Sequence, residues 1–401
     1  MTLLNSITQS DHWEKFYRYK KSIVCSDSFL KELKNYMENQ TYLAVSKEFQ
    51  SGTSFPLPRK SVISKLSSDK KRIVYSYPKA ENMILKLLAY ELTRKYDDLF
   101  CNNLYSFRPG RTAKNAIRKL TQFPGIDRMY SYKVDIHNYF NSVSVSFLLP
   151  MLRSTLAEDP ELYSFLSKLL LEPKVVQSGE FIEEEKGIMA GTPVATFYAN
   201  LYLKDLDEYF EKQGILYARY SDDIIVFAPT REEIERHANY IKNHLKSKKL
   251  TVNPKKENFY NPGDAWTFLG FQYQKGVIDI APVTVKKLKK KMRRKMNSLR
   301  RWHMRNHLES EKAAKAFIRI FNSKLFEHPD NHELSWSYWF FSVINTTVSL
   351  KSIDNYSQEC IRYLLSGTRT KARYQVRYED LKKLGYKNLV HEYYHYSKQE
   401  P

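Results

Sequence analysis

The segment Leu216 to Ala228, LYARYSDDIIVFA, constrains the fold more than any other stretch of the chain. Two short apolar runs of strand character flank the consecutive carboxylates Asp222 and Asp223. Successive side chains on a regular strand point to opposite faces, so these two acids share one locality only where a turn interrupts the alternation. Adjacent acids between apolar strands also repel each other unless cations gather there. An ordinary Asp-containing hairpin turn is the plainer reading of this segment taken alone.

A second segment bears on that choice. YSYKVDIHNYFNSV, residues 130–143, again runs a strand into an acid, Asp135, and passes through Asn138 to Tyr139 and Phe140. Three carboxylates at paired strand ends could hold two Mg²⁺ ions, with Mn²⁺ able to substitute. One ion would activate a primer hydroxyl and the other would steady a triphosphate and its departing pyrophosphate. Nucleic-acid polymerisation requires that chemistry. Phe140, five residues beyond Asp135, could lie beneath the sugar of an incoming nucleotide, with simple core packing as the alternative.

Charge narrows the partners. The formal net charge of the 401 residues is +21, far beyond what solubility needs, and it would focus a polyanion onto the surface. A ribosomal or structural RNA binder fits this composition as well. Thirty tyrosines and five tryptophans offer stacking surfaces, although most aromatics serve packing. The three cysteines, Cys25, Cys101 and Cys360, are odd in number and far apart, which argues against a disulfide framework or structural zinc and for a reducing cytosol. MTLLNSITQSDHWEKF lacks a basic and then apolar leader, and no segment has eighteen consecutive apolar residues, so a cytoplasmic, membrane-free protein is expected.

Along the chain, residues 12–45 read as helical, and Ser51 to Ser68, with Pro56 and Pro58 among serines, reads as a loop. KKRIVYSYP is a strand candidate, and Lys79 to Tyr96 carries a helical stripe through Met83, Leu87, Leu88 and Leu92. In YSFRPGRTAKNAIRKL, Pro109-Gly110 marks a turn flanked by Arg108 and Arg111, and Thr112 is placed to cap a helix. Strands are expected at 130–136 and twice within 216–228, with helices at 197–213 and 230–249. From Val285 to Arg305 the stripe Val285, Leu288, Met292, Met296 and Leu299 is embedded in eleven lysines and arginines without an acid. A solvated face is the bland reading, but eleven like charges on one helix repel, and a phosphate-bearing partner accounts for them better. More helix is expected over 311–365, and then a mobile, basic, tyrosine-rich tail over 366–396. Mixed strands and helices in this order indicate an α+β or α/β body.

These motifs, in this order, resemble prokaryotic reverse transcriptases, the broad set that includes group II intron, retron and defence-associated enzymes. Asp135 to Phe140 is similar to the family's motif A, and Tyr220-Ser221-Asp222-Asp223 to its Tyr-x-Asp-Asp motif C. KKRIVYSYP and Phe107 to Ile117 resemble the fingers motifs, which implies a triphosphate contact at Arg72 and template-primer contacts at Arg108 and Arg111. Asn253 to Glu257, NPKKE, resembles motif D and puts Lys256 toward the pyrophosphate. Phe268, Leu269 and Gly270 begin an FLGF that resembles a primer grip, and the basic helix, with Lys290 and Arg294, falls where a thumb belongs. GIMAGTPVATFYAN departs from the motif B pattern: Met189, Ala190 and Thr192 stand where Pro, Gln and the first Ser are expected, and Ala195-Thr196 where Ser-Pro is expected. Gly191 and Pro193 are retained, so Ala190 and Gly191 are read as nucleotide-pocket positions.

The resemblance implies an α+β right-hand polymerase. Its parts would be an N-terminal helical extension (1–60), fingers (61–129), palm with part of the fingers (130–282, the latter about 150–185), thumb (283–330) and a C-terminal helical extension with the basic tail (331–401). Asp135, Asp222 and Asp223 would be the catalytic metal ligands. Within the family the phrases DIHNYFNSV and ANLYL and the tail are most similar to the defence-associated, abortive-infection-like group. That implies antiphage DNA synthesis with a noncoding RNA, a template-primer and dNTPs, and leaves room for a homo-oligomer or an accessory defence protein. A retron-type polymerase, template-independent synthesis and a non-catalytic RNA-binding scaffold are the alternatives. Tyr393, Tyr394 and Tyr396 are candidate priming hydroxyls.

Overall fold

A computed structural model describes residues 2–23, 25–50, 55–64, 71–326 and 335–398. The chain divides into two compact units, Met1–Ile23 with Asp27–Asp264, and Val24–Ser26 with Ala265–Pro401. Both mix helices with small sheets.

In the first unit the amphipathic N-terminal region forms helices Ser10–Ser22, Asp27–Glu38 and Thr41–Gln50. Trp13, Phe16, Phe29, Leu33 and Tyr36 are buried there, and the Trp13 indole donates to the Ile7 carbonyl at 2.8 Å. Strands β1 (Arg59–Ser64), β2 (Lys71–Ser76), β4 (Lys174–Gln177) and β5 (Glu180–Glu183) form one sheet in the order β2-β1-β4-β5. The expected loop from Ser51 to Ser68 is therefore corrected over Arg59–Ser64, where antiparallel pairing with β2 and a parallel contact to β4 impose strand geometry after the two prolines. Residues 51–54 and 65–68 of that stretch lie outside the described residues.

A second sheet, in the order β6-β7-β3-β8, is built from β3 (Tyr130–Asp135), β6 (Tyr217–Tyr220), β7 (Asp223–Ala228) and β8 (Asn258–Tyr260). Ile224 to Ala228 are all buried, because helix Arg231–Ser247 packs through Ile234, Ala238, Ile241 and Leu245. Thr112 caps helix Ala113–Thr121 by accepting the Asn115 amide at 3.2 Å. The single helix expected over 197–213 is two, Ala195–Tyr202 and Lys204–Lys212, since Leu203 leaves helical geometry (φ −114°, ψ 17°) with its side chain fully buried. Packing thus overrides an unbroken helical pattern.

The second unit contains an antiparallel sheet β11-β10-β9, with β9 at Trp266–Phe268, β10 at Phe271–Gln274 and β11 at Val277–Ile280. The basic segment is one helix, Pro282–Arg305, whose stripe of Val285, Leu288, Met292, Met296 and Leu299 is buried against helices Ser310–Phe326 and Val348–Ser366. The tail expected to be mobile is instead folded into helices Ala372–Gln375, Tyr378–Lys383 and Leu389–Ser397. Its anchor is buried Asp354, which accepts the Tyr386 hydroxyl (2.8 Å) and the Leu389 (2.9 Å) and Val390 (3.1 Å) amides at the start of the last helix. No helix among the described residues is long and apolar enough to cross a membrane.

Candidate active site

Pairing decides where the acids go. Tyr220 lies opposite Asp223 across the β6–β7 hairpin, so Ser221 and Asp222 form a two-residue loop, and Ser221 adopts a positive φ of 60°. Two-residue hairpin loops demand such a conformation because it matches the strand twist. Strand β3 runs antiparallel beside β7 with Asp135 in register with Asp223, which brings the third acid to the same edge. Single carboxylate oxygens of Asp135, Asp222 and Asp223 all lie within 4.8 Å of one another.

The cluster is crowded and partly dry. Asp135 is 4% exposed, and the other two acids are half-buried. Burial, and then the charge of Asp135, raises the Asp222 pKa, with Arg72 and Lys256 pulling the other way. Burial, and then Asp222, pushes Asp223 up to about 6. Repelling carboxylates in a partly desolvated site are relieved by a cation. Three hard oxygen donors without sulfur or imidazole suit Mg²⁺ or Mn²⁺ better than a soft metal. The cluster can therefore coordinate a divalent ion. The Lys256 ammonium meets one Asp135 oxygen, and the Asn253 side-chain amide donates to the other at 3.3 Å.

Beside the acids, one loop joins three of the other expected positions. The Tyr75 amide of β2 donates to the Ala190 carbonyl at 2.8 Å, and the Ile188 amide donates to the Phe140 carbonyl at 2.9 Å. The approach is so close that a Cβ on Gly187 would sit 2.4 Å from the Phe140 carbonyl oxygen, and one on Gly191 (φ 104°) would sit 2.9 Å from that of Tyr75. Only glycine fits at these two points. Asn141 spans the same gap, donating to the Ile73 carbonyl and accepting the Ala190 amide, both at 3.4 Å. Phe140 is half-buried and edge-on to Phe107 at 6.3 Å, and Arg72 is exposed on β2.

The other expected contacts divide. Arg108 turns inward: its side chain is 4% exposed, paired with Asp97 and bonded to the carbonyls of Cys101 and Leu104, so it braces its turn and is not presented to a template. Arg111 is half-exposed and bonded to Asn102. In the second unit Phe268 is fully buried, which makes it a core ring and not a contact surface. Leu269 (φ 50°) and Gly270 (φ 88°) form the two-residue turn between β9 and β10. Lys290 and Arg294 lie on the exposed face of the basic helix. Of the tail tyrosines, Tyr393 donates to the Ile344 carbonyl at 2.8 Å, the Tyr396 ring lies edge-on to Phe341, and Tyr394 is 55% exposed.

Sequence reasoning missed the residues beneath the turn: Ser106, Asn200, Asp207 and Arg219, all essentially buried. One signal was available. Arg219 is a charged residue inside an apolar strand, and such a residue needs a buried partner. Its partner, Asp207, sits twelve residues earlier on another element and carries no local mark of that role.

Comparison with known proteins fits this geometry. The model of the family described as reverse transcriptase (RNA-dependent DNA polymerase) matches residues 59–273, more than half of the chain. An uncharacterized 91 kDa protein in cob intron of Schizosaccharomyces pombe is 27% identical over 159 residues, which are 39% of this chain and 19% of that protein. Among solved structures, apo telomerase from Candida tropicalis without its C-terminal domain matches with a TM-score of 0.46 and 10% identity, covering 61% of this chain and 60% of that one. Telomerase from Candida albicans with a fragment of telomeric RNA matches at 0.44 and 15%, covering 82% and 62%. The chain thus spans a fifth of the intron protein and about three fifths of these telomerase chains. The fungal intron protein corrects the expectation of a prokaryotic, defence-associated enzyme, and the antiphage role rested on that expectation. The motifs from KKRIVYSYP to FLGF lie within the stretch that the family model matches, and that match is to the family as a whole and not to one branch. On the family match, this chain belongs to the reverse transcriptase (RNA-dependent DNA polymerase) family.

Proposed function

We propose that the chain is an RNA-directed DNA polymerase that adds dNTPs to a hydroxyl primer through a two-metal site. The observation that carries this reading is the convergence of Asp135, Asp222 and Asp223 within 4.8 Å at adjacent strand ends. Two Mg²⁺ ions, or Mn²⁺ in their place, would supply Lewis-acid stabilisation of the attacking and leaving oxygens. Asp135 and Asp222 would hold them from facing strand ends, and Asp223 would hold or orient. Lys256, already on the Asp135 carboxylate, would serve the pyrophosphate side. Arg72 would meet the triphosphate, Phe140 would pack under the sugar, and the close approach at Gly191 would let Ala190 and its loop line the nucleotide pocket.

In this reading 61–129 are fingers, 130–282 palm with part of the fingers, and 283–330 thumb. The exposed cations of helix Pro282–Arg305, Lys290 and Arg294 among them, would track nucleic-acid phosphates, and Arg111 and the Leu269-Gly270 turn would add contacts to the template-primer. A structured RNA is the partner we propose, and the three free cysteines support a reducing cytosol. If synthesis starts on the protein itself, exposed Tyr394 is the tail hydroxyl to suspect first, because Tyr393 is committed to Ile344.

The test is incorporation of labelled nucleotide by the purified chain on an RNA template with an annealed primer. Mg²⁺-dependent extension with dNTPs, complementary to the RNA, is expected. A folded chain that extends no primer with either Mg²⁺ or Mn²⁺ would leave only an RNA-binding scaffold. Homopolymeric product independent of the template would replace templated copying with terminal addition.

A further inference from the structure

The turn that carries Asp222 is held from beneath by a buried polar network that the polymerisation chemistry does not use. Ser106 is fully buried, and its Oγ accepts the Ser221 amide at 2.9 Å. The same hydroxyl donates to Asn200 Oδ1 at 3.1 Å, and Asn200 Nδ2 donates back to the Ser106 carbonyl at 2.8 Å. This reciprocal pair fixes the hydroxyl rotor: with its one hydrogen directed to Asn200, a lone pair is left for the Ser221 amide.

Arg219 holds the other end of that residue. Its guanidinium forks onto Asp207, donates to the Asn200 carbonyl at 3.2 Å and reaches the Ser221 carbonyl at 3.4 Å. Main-chain bonds bind the same pieces together, from Tyr105 to the Arg219 carbonyl and from Arg219 to the Asn103 carbonyl, both at 3.0 Å. On the opposite flank the Ile136 amide donates to the Asp222 carbonyl at 3.0 Å. The Ser221-Asp222 turn is therefore fastened on both sides.

Such fastening has a physical purpose. Ser221 is not glycine, yet it sits at φ 60°, a conformation that persists only where the surroundings over-determine it. Apolar side chains at 106 and 200 would fill the space at less desolvation cost, but they would leave the turn free to relax. A metal ligand tolerates only a fraction of an ångström of such relaxation.

We propose that Ser106, oriented by Asn200, is a positioning residue for Asp222: its hydroxyl fixes the Tyr220–Ser221 peptide that leads into the turn, so that the Asp222 carboxylate stays aimed at Asp135. The inference rests on the metal-holding role proposed for those acids. Ser106→Ala removes the Oγ and keeps the shape. Mn²⁺ binding to the full chain, followed by electron paramagnetic resonance without substrate, should weaken roughly tenfold, as for other residues that orient metal ligands. In extension assays kcat should fall by a similar factor while KM for the template-primer holds, and added Mn²⁺ should restore most of the rate. Ile241→Val, a buried methyl deletion on helix Arg231–Ser247, controls for general loosening of the fold.

An Mn²⁺ affinity in Ser106→Ala equal to wild type, or reduced no more than in an Ile241→Val chain of matched Tm, overturns the proposal. Asp222→Asn run in parallel separates the two levels. If it abolishes Mn²⁺ binding while Ser106→Ala does not weaken it, positioning alone fails. If it too leaves Mn²⁺ binding intact, the metal-site reading and the positioning inference fall together.

Discussion

The acid-bearing edge of the β6-β7-β3-β8 sheet and the basic helix Pro282–Arg305 each concentrate charge of one sign, and they manage it in opposite ways. At the sheet edge three carboxylates are crowded within 4.8 Å and partly buried, with Asp135 held by Lys256 and Asn253 and the backbone of the Asp222 turn by its buried network. On the helix eleven cations surround an apolar stripe that does the packing, and seven of them are exposed, while Lys289 and Arg300 bond Ser352 and Tyr363 of the neighbouring helix. Few charges in fixed positions suit an ion and a reacting phosphate. Many charges on a solvated face suit a polymer whose phosphates can slide. The difference predicts that single substitutions break the first region outright, while the second loses function gradually.

The largest effect expected from that contrast is at the acids. Asp135→Asn or Asp222→Asn should lower the extension rate by about a thousandfold or more, because an amide stabilises the transferring phosphoryl group far less well. Nucleic-acid affinity, measured on the same preparations, should stay near wild type. Next comes the buried pair beneath the turn. Arg219→Met strands the Asp207 carboxylate in the core and should cost about 3–5 kcal/mol in denaturant unfolding, and adding Asp207→Leu should recover much of it. Unchanged stability in Arg219→Met would show that the pair is not the brace described.

Within the helix the two faces should separate. Leu288→Ala or Met292→Ala, on the stripe, should destabilise by about 2–5 kcal/mol. Neutralising Lys290 and Arg294 together should change stability by no more than about 0.5 kcal/mol. It should nevertheless lower the slope of log affinity against log salt by roughly one unit for each phosphate no longer neutralised. An unaltered slope would put the nucleic acid on another surface. The smallest and most specific effect is at Phe140: if its ring lies under the sugar, Phe140→Ala should lower the preference for dNTPs over NTPs in kcat/KM by roughly tenfold. An unchanged ratio would return Phe140 to packing against Phe107.

What was legible in the sequence was local. The alternation interrupted at Ser221-Asp222, the strand running into Asp135, the Thr112 cap and the stripe from Val285 to Leu299 each follow from neighbours a few residues apart. What was hidden depends on partners distant in the chain. Arg59–Ser64 is a strand because β2 and β4 pair with it, the helix break at Leu203 comes from packing, and the tail is ordered by Asp354, more than thirty residues away from the amides it accepts. Arg108 looked like a surface cation beside a turn until Asp97 and two carbonyls claimed its guanidinium. The family could be read because its motifs, from KKRIVYSYP to FLGF, are short local patterns that all fall within the matched stretch 59–273, and the branch could not be read from the same motifs.

Anomalous scattering from crystals soaked with Mn²⁺ and a dNTP would show whether Asp135, Asp222 and Asp223 form one two-metal site. Two manganese peaks held by Asp135, Asp222 and Asp223 beside the triphosphate are expected. Manganese bound only elsewhere on the chain, with the three carboxylates bare beside an ordered nucleotide, would contradict that site.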